Sequence, residues 1–259
     1  MTEFINHHKT LTAVCLLLLV VAAIFVFEFL VVLFNGSPVP TPIISREPLV
    51  VGQGPALSYV IVGDSTAVSQ GSDYQEGFAI ATTKHLADSH TVTMTNVATS
   101  GARTEDVLKH QVAQALQHKP DIILLAVGTN DVTHLTTSPS VRRSLEAIIG
   151  QVERANCDTK IVITGAAAVG TAPRFPQPLK ALISLRATQL NKVFERLATD
   201  KKITFAHIAQ QTGPTFQQNP GLFAQDKFHP NAQGYAIWTP VLNQSLDDAL
   251  ANQPSRCTD

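Results

Sequence analysis

Four short segments of this 259-residue chain carry residue types that could do chemistry together: Gly63-Asp64-Ser65, Gly101, Gly128-Thr129-Asn130-Asp131 and Asp226-Lys227-Phe228-His229. A serine hydroxyl is a poor nucleophile until a base takes its proton, and histidine is the usual base because its ordinary pKa lies near neutrality. Ser65 and His229 offer that pair. Asp226, three residues before the histidine, can hydrogen-bond one imidazole nitrogen and so turn the other toward the serine. Acyl transfer also needs donors for the tetrahedral oxyanion, and losing one typically raises the barrier by about 3 kcal/mol. The Ser65 N–H, the Gly101 N–H and the Asn130 side-chain amide are the candidates.

Each segment alone is weak. A Gly-Asp-Ser triplet arises by composition in roughly one chain in twenty of this length, and Asp-x-x-His in about one in three or four. Gly-x-Asn-Asp is also ordinary turn composition. All four in this order is a coincidence on the order of one in a thousand. Asp131 is read as holding its loop rather than reacting, and His134 as a surface residue. Arg103, beside Gly101, could meet an anionic substrate group or simply begin a helix in solvent. The nine histidines form no H-E-x-x-H or cysteine partner set, so neither a metal nor an organic cofactor is expected. A net charge of −1 with interspersed signs excludes the electrostatic footprint of a nucleic-acid binder.

The elements that must position these residues alternate. Short apolar runs at Tyr59 to Val62, Thr91 to Val97, Ile122 to Val127, Lys160 to Thr164 and Ile203 to Ala206 read as strands buried on both faces. Helical patterns run from about Tyr74 to Ser89, Thr104 to His118, Ser138 to Ala155, Leu179 to Asp200 and Asn231 to Asn252, with Thr104, Ser138 and Asn231 as N-caps. Such alternation predicts a flavodoxin-like three-layer α/β/α sandwich around a five-stranded parallel sheet. Ligands of these sheets bind beyond the carboxyl ends of the strands, and the four segments follow strands one, two, three and five.

Ahead of this unit, Leu11 to Phe34 is almost continuously apolar and rises roughly 36 Å as a helix, enough to cross about 30 Å of hydrocarbon. Glu28 interrupts it at an insertion cost on the order of 3 kcal/mol, eased by its place near the C-terminal end. A cleaved signal is the alternative, but the apolar stretch is long and no A-x-A site follows. Cys15 is read as a helix-packing or lipid-facing residue. Lys9, ahead of the helix, orients the amino terminus inward by the positive-inside rule. The expected organisation is a short cytoplasmic segment (1–10), a transmembrane signal-anchor helix (11–34), a Pro-rich linker that holds the domain off the membrane (35–57), the α/β domain (58–252) and a tail (253–259). Cys157 precedes strand four and Cys257 follows the last helix, so both fall at the amino-terminal face of the sheet and a disulfide between them is feasible.

The four blocks resemble those of the SGNH hydrolase family, the GDSL-type esterases and lipases, over about Ser58 to Asn252, and HPNAQGYAIW after Phe228 resembles the family's last block. One departure is Ala98, where many members carry glycine. The resemblance implies Ser65 as nucleophile, Gly101 and Asn130 with Ser65 as the oxyanion hole, and His229 with Asp226 as base and orienter. The expectation is a membrane-anchored, extracytoplasmic serine esterase, a monomer without metal or cofactor. Its acyl-serine chemistry would act on carboxylic esters such as O-acetylated envelope glycans or lipid esters. Specificity is expected in the loops from Thr164 to Leu179 and Ile208 to Asp226. An acyltransferase would use the same residues, whereas a silent glycan-binding module would tolerate decay among them, and all five are intact.

Overall fold

Apolar runs buried on both faces must pair edge to edge and be covered twice, and the computed structural model, which describes residues 2–257, has that arrangement. Met1, at the head of the expected cytoplasmic segment, and Thr258 and Asp259 of the expected tail lie outside the described residues. Strand β2 (Ala56–Gly63) lies between β3 (Thr91–Asn96) and β4 (Ile122–Ala126). Beyond β4 follow β5 (Lys160–Ile163) and β6 (Thr204–Phe205), and all five are parallel in the flavodoxin-like order. The sheet has six strands rather than the expected five, because β1 (Leu49–Val51) pairs antiparallel with β3. This strand is a largely exposed three-residue edge between Pro48 and Gly52, too short for alternation to reveal it in the sequence.

Alternate residues along each strand enter different cores. Val60, Val62, Ile123, Leu125, Ile161 and Ile163 face one layer, made by α3 (Thr104–His110), α4 (Val112–Gln117), α6 (Ser138–Ala155) and α7 (Leu179–Lys201). Tyr59, Ile61, Ile122, Leu124 and Val162 face the other, made by α2 (Phe78–Ala87), α8 (Ile208–Gln218) and α9 (Ala232–Asn252). Helix α8 and the short α5 (Thr129–Thr133) fall in segments the sequence pattern left as loop.

The helix expected over Thr104 to His118 breaks at Gln111, whose buried amide turns inward to hold the backbone of Gly63 on both sides, with Nε2 donating to its carbonyl at 2.9 Å and Oε1 accepting its N–H at 2.8 Å. Asn231 caps α9 by accepting the Gly234 N–H at 3.0 Å. The other two caps sit one residue earlier than expected, at Arg103 and Thr137. Thr104 instead donates its hydroxyl to the buried Asp131 at 3.0 Å.

The N-terminal helix α1 (Thr2–Phe34) runs through the expected boundary between 1–10 and 11–34 without a break. From Leu11 to Phe27 its side chains are exposed. Glu28 is buried, and its Oε1 accepts the Leu179 N–H at the start of α7 (3.1 Å), which supplies a partner for the one charge in the apolar run. Val32 packs on the sheet's first core. The Pro-rich segment that follows lies along the domain. Asn35 donates to the Pro173 and Arg174 carbonyls at 2.9 and 3.1 Å, the Ser37 N–H meets the Gln225 carbonyl, and Arg46 meets those of Asn96 and Ala98.

At the opposite, amino-terminal edge, Cys157 and Cys257 form a disulfide with a Cα separation of 4.9 Å. The tail before it is fixed by Gln253, whose amide bonds both the N–H and the carbonyl of Ile161 at the start of β5. Closing a loop of 100 residues restricts the unfolded chain strongly. Replacing both cysteines by serine is expected to lower stability by about 2–4 kcal/mol, read from urea unfolding of the oxidised and variant proteins.

Candidate active site

Parallel strands β2, β4 and β5 end together, and their following turns need conformations that side chains disfavour. Gly63 (φ +153°) ends β2 where a Cβ would lie 2.1 Å from the Ala126 carbonyl oxygen of β4. That close approach brings Ser65 over the end of the sheet. Asp64 fixes the turn after it, its Oδ1 accepting from the Thr66 N–H (2.9 Å) and hydroxyl (2.8 Å) while its own N–H donates to Ala126.

His229 approaches from the loop that leads into α9. Its Nε2 lies 2.9 Å from the Ser65 Oγ and its Nδ1 lies 2.5 Å from Asp226 Oδ2. The second carboxylate oxygen of Asp226 accepts the backbone N–H groups of Phe228 and His229, both at 3.0 Å. Burial pushes the Asp226 carboxyl up, but the His229 ring and these N–H donors together outweigh it and hold it below the ordinary carboxylate range. An ionised Asp226 fixes Nδ1 as the protonated nitrogen, so Nε2 is the one that can accept the serine proton.

The third and second segments meet each other at the carboxyl end of the sheet. Asn130, buried at the start of α5, donates one amide hydrogen to the Ala102 carbonyl at 3.0 Å. Asp131 accepts both the N–H (2.9 Å) and the hydroxyl of Thr104, joining the two loops, which is the holding role its position suggested. Gly101, exposed with φ +82°, turns between them with open space where a Cβ would be. Arg103 pairs with Asp106 at the start of α3, as expected of a helix-start residue, and His134 is exposed with Nδ1 against the Asn130 carbonyl.

A narrow pocket opens beside Ser65, walled by Val169, Phe216, Phe223, Phe228 and Trp238. Sequence reasoning assigned no role to these apolar residues, nor to Gln111, because aromatic and amide side chains signal chemistry only through their neighbours. Val169, Phe216 and Phe223 do lie in the two segments expected to set specificity. Among the described residues, the cluster of Cys157, Asp158 and Cys257 has metal-ligand chemistry, and its two sulfurs are joined to each other.

A hydrogen-bonded Asp-His-Ser array lies at the carboxyl end of a doubly covered parallel sheet, an arrangement suited to α/β hydrolase chemistry. The sequence profile of the GDSL-like Lipase/Acylhydrolase family matches residues 61–237, and the chain belongs to that family. It is 28% identical over 204 residues to a GDSL-like esterase of Mycobacterium tuberculosis, an alignment covering 75% of this chain. The chain spans 63% of that relative's length. The fold is shared with the psychrotrophic esterase EstA of Pseudoalteromonas (TM-score 0.59, 18% identity, 75% of this chain and 99% of that one). It is also shared with a lipase/acylhydrolase of Enterococcus faecalis (TM-score 0.59, 18% identity, 78% of this chain and all of that one).

Burial raises the Asp64 carboxyl from 3.8 to about 6 against the opposing hydrogen bonds from Thr66. The fold therefore favours the protonated form, and the stability this group contributes is fully present below about pH 4 and is lost as pH climbs through 6. Asp64→Asn keeps the acceptor for Thr66 and removes the charge. Its melting temperature relative to wild type should rise between pH 4 and 7, and a constant difference across that range would show an Asp64 that titrates as it does in water.

Proposed function

We propose that the chain is a membrane-anchored serine esterase in which Ser65 attacks the carbonyl of a carboxylic ester. His229 Nε2 takes the Ser65 proton and returns it to the leaving alcohol, while Asp226 holds the ring and stabilises the imidazolium that forms. The oxyanion is met by the N–H groups of Ser65 and Gly101 and by the second amide hydrogen of Asn130. Water then attacks the acyl-serine with His229 acting as base again. The observation that carries this reading is the continuous relay from Asp226 through His229 to a serine hydroxyl that lines an open pocket.

The apolar wall of Phe216, Phe223, Phe228 and Trp238 suits the acyl part of an ester, acetyl or longer. Family membership and the esterase name of the Mycobacterium tuberculosis relative support ester hydrolysis. The disulfide supports an extracytoplasmic domain, and the length of the apolar part of α1 supports a retained span.

Hydrolysis of p-nitrophenyl acetate and p-nitrophenyl octanoate by the full chain in detergent tests the proposal. Ser65→Ala should reduce turnover to background with the fold intact, and equal activity in that variant would sink the assignment. His229→Ala should lower kcat by several orders of magnitude, and Asp226→Asn by roughly 10⁴. Asn130→Ala should lower kcat about 10²- to 10³-fold with KM little changed, because its donor acts on charge that develops only in the transition state.

A further inference from the structure

The end of α1 and the loops that carry the active site lie on the same side of the molecule. Glu28 meets the first N–H of α7, Asn35 meets the carbonyls of Pro173 and Arg174, and Lys227 Nζ reaches Asn35 Oδ1 at 2.7 Å. Arg174 Nη1 in turn donates to the Asp226 carbonyl at 3.1 Å. A Cβ on Gly36 would lie 2.5 Å from that same carbonyl oxygen, so the chain leaves α1 in close contact with the loop of Asp226 and His229.

The depth of the helix follows from its side chains. Between Leu11 and Phe27, all outward-facing, it rises roughly 24 Å, most of a hydrocarbon core of about 30 Å. At Glu28 and Val32 it packs on the domain. A bilayer crossed by this helix therefore ends close to Glu28, and the first turns of α7 stand at its surface.

That part of the domain has the composition a bilayer surface would select. Residues 164–194 contain Arg174, Lys180, Arg186 and Lys192 and no aspartate or glutamate. Leu182 and Leu185, one turn apart on α7, are 50% and 57% exposed, and Leu135 is 73% exposed. Arg186 draws Leu135 close to α7 by bonding the neighbouring Thr136 carbonyl. Phe34, ending α1, is 82% exposed. Single exposed leucines are ordinary, but leucines gathered with cations beside a spanning helix form an amphipathic interfacial surface.

We propose that Leu135, Leu182 and Leu185, with Arg186 and Lys192 beside them, seat on the anionic headgroups of the leaflet from which α1 emerges. Leucines enter the headgroup boundary, the cations meet lipid phosphates, and the domain is fixed at two places instead of swinging on a tether. The loop of Asp226 and His229, tied to Asn35, Gly36 and Arg174, is then held at headgroup level, where the pocket is presented to molecules in the same leaflet. The inference rests on α1 being a retained span.

The test uses the full chain reconstituted in vesicles of phosphatidylcholine with a minority of phosphatidylglycerol, with Cys15→Ser to remove the free thiol. A bimane label is placed through Leu182→Cys, Leu185→Cys, Val26→Cys within the span, or Gln117→Cys at the opposite edge of the sheet. Lipids carrying a nitroxide near the headgroup or along the acyl chain act as quenchers. Labels at 182 and 185 should be quenched several-fold more than at 117, and less so in pure phosphatidylcholine. Quenching at 26 with none beyond the 117 level at 182 and 185 would overturn the docking surface while leaving the span in place. No quenching at 26 would overturn the span itself. Equal quenching of 182 and 185 in both lipid mixtures would overturn the anionic preference.

Discussion

The Asp226 carboxylate is the interaction on which the rest of the site depends. One oxygen holds the His229 ring and the other gathers the two N–H groups that shape the loop around it, so a single group sets both the tautomer of the base and the path of its backbone. Both duties require the ionised form. The carboxyl stays low because several donors converge on it despite burial. The loop is closed further by the Ala224 N–H on the His229 carbonyl and by Lys227 in the left-handed conformation, φ +57°.

The opposite wall is held by buried polar pairs with a different balance. Asp64 and Asp131 serve as acceptors for Thr66 and Thr104, and burial raises both carboxyls against the hydrogen bonds that oppose it. Gln111 does similar work without charge, grasping both polar groups of Gly63 and interrupting its own helix to do so. Each is a local loss of stability or regularity that fixes a loop or strand end at the carboxyl side of the sheet. Ala98, where glycine is common in the family, is accommodated with its N–H on Asn96 Oδ1 and its carbonyl on Arg46, so the turn toward Gly101 is built without it.

The N-terminal region alters the picture of a domain on a string. Glu28 is a liability in an apolar helix until the α7 N-terminus supplies a donor, and that contact joins the helix to the domain. The prolines after Asn35 keep the chain extended, and it runs along the domain to the β1 edge, where an extended backbone can add to the sheet.

Much of this was legible in the sequence because it is written in local patterns. The five parallel strands declare themselves as short runs rich in apolar residues, Asn231 as a cap preceding a helix, and Ser65, Asn130, Asp226 and His229 by type, spacing and position after strands. Asp-x-x-His is a local geometry, so the orientation of the histidine by the aspartate could be read from three residues. What only the tertiary structure decided depends on partners far apart in the chain. The 2.9 Å contact of His229 with Ser65 spans 164 residues, the Gln111 grip on Gly63 spans 48, and the Glu28 contact with Leu179 spans 151. Edge strand β1 has too few residues to show a period, and aromatic pocket walls are indistinguishable from core until the chain is folded. Residue type and spacing determine which groups can react, because they fix chemistry and local backbone. Packing decides where those groups meet and what surrounds them, because those energies belong to pairs that the sequence does not place side by side.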